Sequence, residues 1–231
     1  MSRLINFLKK CQNVNKILTN SRLNFQTFGN VSQRIDKDTF TIKPSGVNVL
    51  KTSWKDYPIL NIDNLKVVKG KLKPSTDSAT HAEIYKFSQS IKGIVHAHSK
   101  YSVSWSQAQK NIPILGTTHS DYWDGDIMVT KALKKDEILK KYEKNIGKSI
   151  IKLFNKNNIN LKRGVLVANH GGFCWGENAF EAYQNFERLE FIAELAFKTL
   201  ILNKKAKISK ELINKHYKRK NGLKSYYGQK K

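Results

Sequence analysis

Apolar positions near the N-terminus recur at helical spacing. Leu4, Leu8, Cys11, Val14 and Leu18 fall on one side, so residues 4–18 predict an amphipathic helix. The stretch NFQTFGNVS reads as a turn at Gly29-Asn30, and TFTIK (39–43) as a short strand stopped by Pro44-Ser45-Gly46. PILNI and LKVVKG predict two more strands ahead of the turn Lys73-Pro74-Ser75-Thr76-Asp77. Helical patterning over 80–88 and 102–109 brackets an apolar strand, GIVHAHS (93–99). IPILGTTHSDYW predicts a strand running into a polar loop, 136–155 a long helix interrupted by Gly147, and RGVLVANHGG a buried strand ending in a turn. Asn178, with Glu181 three residues on, forms a capping box for a helix bearing Ala182, Phe186, Leu189, Ala193, Ala196 and Leu200 on one side. A basic segment, KHYKRKNGLKSYYGQKK, follows as a tail. Strands and helices are interspersed, with no repeat and no Pro/Gly/Ser linker, which argues for one layered α/β domain over 1–231.

Composition changes this picture in one respect. The 11 Phe, 9 Tyr and 4 Trp supply a sizeable core, but 42 Lys and Arg against 18 Asp and Glu leave a net charge of +24. Such a field draws polyanions, either nucleic acid or a phosphorylated small molecule. The basic residues are spread along the chain, and neither RNP aromatics, zinc-finger spacing nor a basic helix with heptads accompanies them, so no specific nucleic-acid partner is expected. Cys11 and Cys174 form no framework and read as free thiols. The opening MSRLINFLKKCQNVNKIL has no unbroken apolar core and no small-residue cleavage site, and no apolar run approaches spanning length. A cytoplasmic protein without a membrane segment is expected.

Candidate chemistry centres on histidine. Side chains alternate along a strand, so Ile94, His96 and His98 share one face and Val95 and Ala97 the other. Two imidazoles aimed the same way inside a core need polar partners or a cation between them; HxH alone leaves both readings open. Zinc accepts neutral imidazole nitrogens, and catalytic sites often use three protein ligands. His170, where the apolar strand gives way to Gly171-Gly172, is the candidate third ligand, with Asp77 a carboxylate nearby. His81 reads as helix surface or as a residue behind the site, His216 as tail surface, and His119 is ambiguous. Phe173 and Trp175 read as packing.

Seven stretches together carry a resemblance: GNVS (29–32), IKPSG (42–46), KPSTD (73–77), GIVHAHS (93–99), GTTHSDY (116–122), GVLVANHG (164–171) and YYGQ (226–229). In this order they resemble the L-ribulose-5-phosphate 4-epimerases of the class II aldolase/epimerase superfamily, over essentially the whole chain. The resemblance implies a three-layer α-β-α domain around a mixed, mostly antiparallel sheet, assembled as a cyclic homotetramer. It implies one divalent metal per subunit, usually zinc, on His96, His98 and His170 with Asp77. Contacts to substrate phosphate and hydroxyls would fall on Gly29, Asn30, Lys43, Ser45, Gly46, Ser75 and Thr76. The acid/base residues would be Asp121 and Tyr227, with the tail (about 214–231) reaching a neighbouring subunit's site. Two positions depart from the family pattern: Thr76 replaces a serine, and Gly172 replaces a proline.

The implied chemistry has a physical rationale. C4 of a 2-ketopentose is β to the carbonyl, so its C–H is not activated and simple proton abstraction does not invert it. Cleaving C3–C4, turning the aldehyde fragment and rebonding does. That route needs a Lewis acid for the enediolate and two acid/base groups for the C4 oxygen. The nearest alternative is a sugar-phosphate aldolase of the L-fuculose 1-phosphate type, which resembles this chain around the histidines but places a glutamate where Asp77 stands.

Overall fold

The computed structural model describes residues 2–155, 159–221 and 225–227. Helix α1 (Ser2–Asn20) leads into strands β1 (Asn30–Arg34), β2 (Thr39–Ile42), β3 (Ile59–Asn61) and β4 (Val67–Lys69). Helix α2 (Ser78–Phe87), β5 (Gly93–Ala97), α3 (Lys100–Gln107) and the single turn α4 (Thr117–Ser120) follow. Next come α5 (Lys135–Leu139), α6 (Tyr142–Ile151), α7 (Ile159–Lys162), β6 (Gly164–Val167), β7 (Gly171–Gly176), α8 (Ala179–Leu202) and α9 (Lys210–Lys220).

The strands form one seven-stranded sheet in the order β4-β3-β2-β1-β5-β7-β6. Every pairing between these strands is antiparallel, and an isolated parallel bridge joins Val129 to Leu166. Alternation sorts the side chains into two cores. Val31, Val95, Ala97, Leu166 and Cys174 pack with α1, α3 and α8 on one face. Phe40, Ile42, Ile94, Val165, Val167, Phe173 and Trp175 pack with α2 and α6 on the other. Helices on both faces of a mostly antiparallel sheet make the three layers. Both cysteines are buried free thiols, and burial pushes each thiol up, which leaves them unreactive.

Several expected elements differ. IPILGTTHSDYW is not a strand: Ile112 makes one bridge with Ile127, Pro113 has no N–H to continue a ladder, and Asp126 takes the Ile114 N–H at 2.9 Å. Thr117 to Ser120 then turn helical. The helix expected over 136–155 breaks at Lys140-Lys141, not at Gly147, because Lys141 adopts a left-handed conformation (φ 57°, ψ 46°). Gly147 lies inside α6, where it lets the helix touch α2: a Cβ there would sit 2.7 Å from Glu83 Cβ and 3.0 Å from Thr80 O. Strands β1 and β7, in stretches read as a turn and as packing, complete the ladder on either side of β5. The tail contains α9, started by a Ser209 side-chain cap on Leu212 N. Within 214–231, residues 222–224 and 228–231 lie outside the described residues. No helix among the described residues is long and apolar enough to cross a membrane.

Candidate metal centre

The central strand aims the first two imidazoles. His96 is paired in register with Phe173 of β7, and the two rings stack with centroids 4.1 Å apart. His98, just beyond β5, lies under Phe28 at 5.5 Å. His170 arrives from the turn joining β6 to β7, which is closed by His170 N–H donating to Val167 O at 3.0 Å, with Asn169 left-handed (φ 59°). Antiparallel pairing of β5 with β7 therefore brings residues 74 apart in sequence into contact.

The geometry is tight. His96 Nε2 lies 3.1 Å from His98 Nε2 and 3.1 Å from His170 Nε2, and one ligand nitrogen from each ring falls within 4.8 Å of the others. His96 Nδ1 sits 2.9 Å from Gly172 O, an acceptor only, so this nitrogen carries the proton and Nε2 presents its lone pair to the cluster. Burial pushes the imidazolium form of all three down, with the neighbouring rings adding repulsion at His96 and His170. Neutral rings with converging lone pairs are what a divalent cation requires, and the cluster could hold one.

Asp77 stands beside this cluster and not within the set of converging nitrogens. It occupies the N-cap position of α2, yet its carboxylate does not cap the helix; it accepts from Asn30 Nδ2 at 2.6 Å. Burial opposes its ionisation, but the His96 and His81 rings and the Asn30 hydrogen bond outweigh that and hold the carboxyl below the usual range. His81, one turn into α2, is fully buried rather than on the helix surface, with Nδ1 2.7 Å from Ser32 Oγ. Burial depresses its imidazolium to about 4. Its i, i+4 spacing from the buried Tyr85 was the sequence signal for an inward face.

Three short turns meet here. Ser45 N–H donates to Lys73 O at 2.8 Å, and Ser75 N–H to Lys43 O at 3.0 Å, lacing 43–46 to 73–77. Lys43 is buried, and its ammonium donates to Thr27 O at 2.6 Å and Gly29 O at 2.9 Å, which leaves its third N–H without an acceptor among the described residues. Gly29 is left-handed (φ 79°), and a Cβ would press His96 O at 3.0 Å, so glycine is what this approach allows. Asn30 pairs with His96 across β1 and β5. Ser45, Gly46 and Thr76 are exposed, while Gly29 and Ser75 are half-buried.

Asp121 and Tyr227 are gathered elsewhere. Asp121 accepts from Arg219 Nη2 at 2.8 Å, Arg219 Nε at 3.1 Å and His216 Nδ1 at 3.0 Å, with Lys220 Nζ at 3.2 Å. Burial opposes its charge, but these donors outweigh it and hold the carboxyl below the usual range. Tyr227 is exposed, with the Arg219 guanidinium 5.0 Å and the Lys220 ammonium 4.4 Å from its ring centroid. Thus α9 collects both residues around the same two cations. His216, expected on the tail surface, is part of that network. Sequence reading also missed Phe28, which covers His98, and Tyr142, whose hydroxyl is 3.2 Å from His170 Nδ1. Neither carries a sequence signal, since each meets its partner only through the fold.

This sheet, flanked on both faces and carrying three convergent histidines, defines the class. The sequence model of the class II aldolase and adducin N-terminal domain family matches residues 9–197, and the chain belongs to that family. It is 41% identical over 207 residues to L-ribulose-5-phosphate 4-epimerase UlaF of Salmonella paratyphi B, covering 88% of this chain and 90% of that protein. Among solved structures, an L-fuculose 1-phosphate aldolase superposes with a TM-score of 0.76 at 22% identity, over 91% of this chain and 94% of that one. YgbL of Escherichia coli superposes with a TM-score of 0.74 at 21% identity, over 91% and 97%. At these identities the two structures speak for the fold.

Proposed function

We propose that this protein is a metal-dependent 4-epimerase that interconverts L-ribulose 5-phosphate and D-xylulose 5-phosphate. One observation carries the reading: three neutral imidazoles converge in a chain 41% identical to an L-ribulose-5-phosphate 4-epimerase. His96, His98 and His170 would hold the cation, most simply Zn²⁺ given an all-nitrogen cluster, with Asp77 completing the set. When bound, the cation supplies Lewis-acid stabilisation of the negative charge left on the ketone fragment as C3–C4 breaks.

The remaining work falls to the chain. The exposed residues Ser45, Gly46 and Thr76, with Ser75, Gly29-Asn30 and the Lys43 ammonium, would anchor the phosphate and hydroxyls while the aldehyde turns. Asp121 and Tyr227 would take and return the proton of the C4 oxygen on its two faces. In this chain both are gathered around Arg219 and Lys220 of α9, which supports their acting outward, on a neighbouring subunit's site in a homotetramer. The Arg219 guanidinium and Lys220 ammonium lie against the Tyr227 ring and hold it beside Asp121. The phosphorylated substrate also suits a chain of net charge +24. A cytoplasmic setting fits two reduced, buried thiols.

The test is a coupled assay on purified protein supplied with L-ribulose 5-phosphate. Formation of D-xylulose 5-phosphate, lost on chelation and restored by zinc, is expected. Release of an aldehyde with no D-xylulose 5-phosphate would instead assign an aldolase.

A further inference from the structure

We infer that Tyr142 is a positioning residue for the metal centre: its hydroxyl sets the orientation and tautomer of His170, and the α2–α6 pair holds it there. The inference rests on the proposed metal site and goes beyond it, because Tyr142 lies among none of the ligands or acid/base residues. The three imidazoles have different outer partners. His96 is tied to a backbone carbonyl of the sheet, His98 lies against the Phe28 ring, and His170 meets Tyr142 at 3.2 Å through Nδ1. His170 is also the imidazole delivered by a turn, not by the strand β5 or its immediate continuation, so its ring depends most on a side-chain partner. A metal-bound histidine generally donates its other N–H to such a partner, which fixes the ring and raises its basicity.

A hydroxyl suits this place because it both donates and accepts. With a cation at Nε2, His170 Nδ1–H donates to the Tyr142 oxygen. Without one, Nε2–H is free to face His96 Nε2, and Tyr142 O–H donates to Nδ1. A carbonyl or carboxylate serves only the first arrangement. Tyrosine therefore keeps the ring aligned in both states.

What holds Tyr142 is the packing of two helices. Left-handed Lys141 starts α6 so that Tyr142 is its first residue. Thr80 Oγ1 of α2 donates to Glu143 O at 2.6 Å, directly beside Tyr142, and Gly147 lets α6 close onto α2 one turn further along. The same α2 carries Asp77 at its N-cap. The two helices thus present Asp77 and Tyr142 to the histidines as one unit.

The experiment measures zinc affinity of metal-stripped full-length protein by competition with a chelating dye, and records the visible spectrum of the Co²⁺ form. Tyr142→Phe is expected to weaken zinc binding roughly 10- to 100-fold and to alter the Co²⁺ bands, with the thermal midpoint of the stripped protein unchanged. Gly147→Ala should weaken binding in the same direction. Zinc affinity and Co²⁺ spectrum of Tyr142→Phe equal to those of the parent protein would overturn the inference. A parent protein that binds zinc, shows the Tyr142 effect and yet forms no D-xylulose 5-phosphate would leave the inference standing and remove the epimerase reading. A parent protein that binds no zinc would remove both.

Discussion

Around His96, His98 and His170 the chain relies on backbone pairing and apolar burial, whereas around Asp121 and Tyr227 it relies on ion pairs carried by α9. In the first region the β5–β7 register stacks His96 on Phe173 and sets the distance to His170. No charged side chain is needed to aim the rings, and low exposure keeps them neutral. In the second region a single carboxylate gathers Arg219, His216 and Lys220, and the cations lie against an exposed tyrosine. The contrast separates two tasks. A cation site needs fixed geometry, and the sheet supplies it through strand register. Asp121 is instead held by side chains of α9, which also lie against Tyr227.

Four experiments break or sharpen this contrast. The largest effect is expected for His98→Asn or His96→Ala, with loss of bound zinc and a fall in epimerase rate of at least about 10³-fold, the scale of Lewis-acid stabilisation. Elemental analysis alongside the rate checks it; retained zinc would contradict the assignment. Next, Asp121→Asn and Tyr227→Phe should each lower kcat about 10²- to 10⁴-fold while zinc content stays at the parental level. Co-refolding inactive Tyr227→Phe with inactive His98→Asn subunits should then restore part of the activity, since mixed interfaces contain intact sites. If the mixture stays silent, the two regions do not serve one shared site.

The third experiment reads the buried histidines through pH. His81 and His119 are held neutral by burial, each depressed to about 4, while in the unfolded chain they titrate near about 6.5. Between those values the unfolded state binds more protons. Stability is therefore full above about 6.5 and falls as pH drops toward about 4. The thermal midpoint of the stripped protein should decline across that window, and a flat profile would argue against both burials. The smallest effect concerns Glu190, whose carboxylate accepts from Tyr101 N and Ser102 N at 2.9 Å and from Ser99 Oγ at 2.6 Å. It caps α3 directly after His98, taking the part Ser99 would otherwise play. Glu190→Ala should cost about 1–3 kcal/mol, read by denaturant unfolding, with zinc affinity changed less than by Tyr142→Phe.

The sequence by itself determined the alternation that put His96 with Ile94 on one face, the turns that carry Gly29, Ser45-Gly46 and Ser75-Thr76, the amphipathic α1 and the capped α8. These are local properties, written in periods of two or 3.6 residues and in residues that favour turns and caps. The sequence motifs also marked His170 and Asp77 as candidates. Only the tertiary structure decided that β7 exists beside β5, because GGFCWG has no alternating pattern when both of its faces are buried. It alone placed Tyr142 on His170, Phe28 on His98 and α9 on Asp121, and moved the helix break from Gly147 to Lys141. Those outcomes depend on which distant surfaces meet, and contacts between residues tens of positions apart leave no periodic trace along the chain.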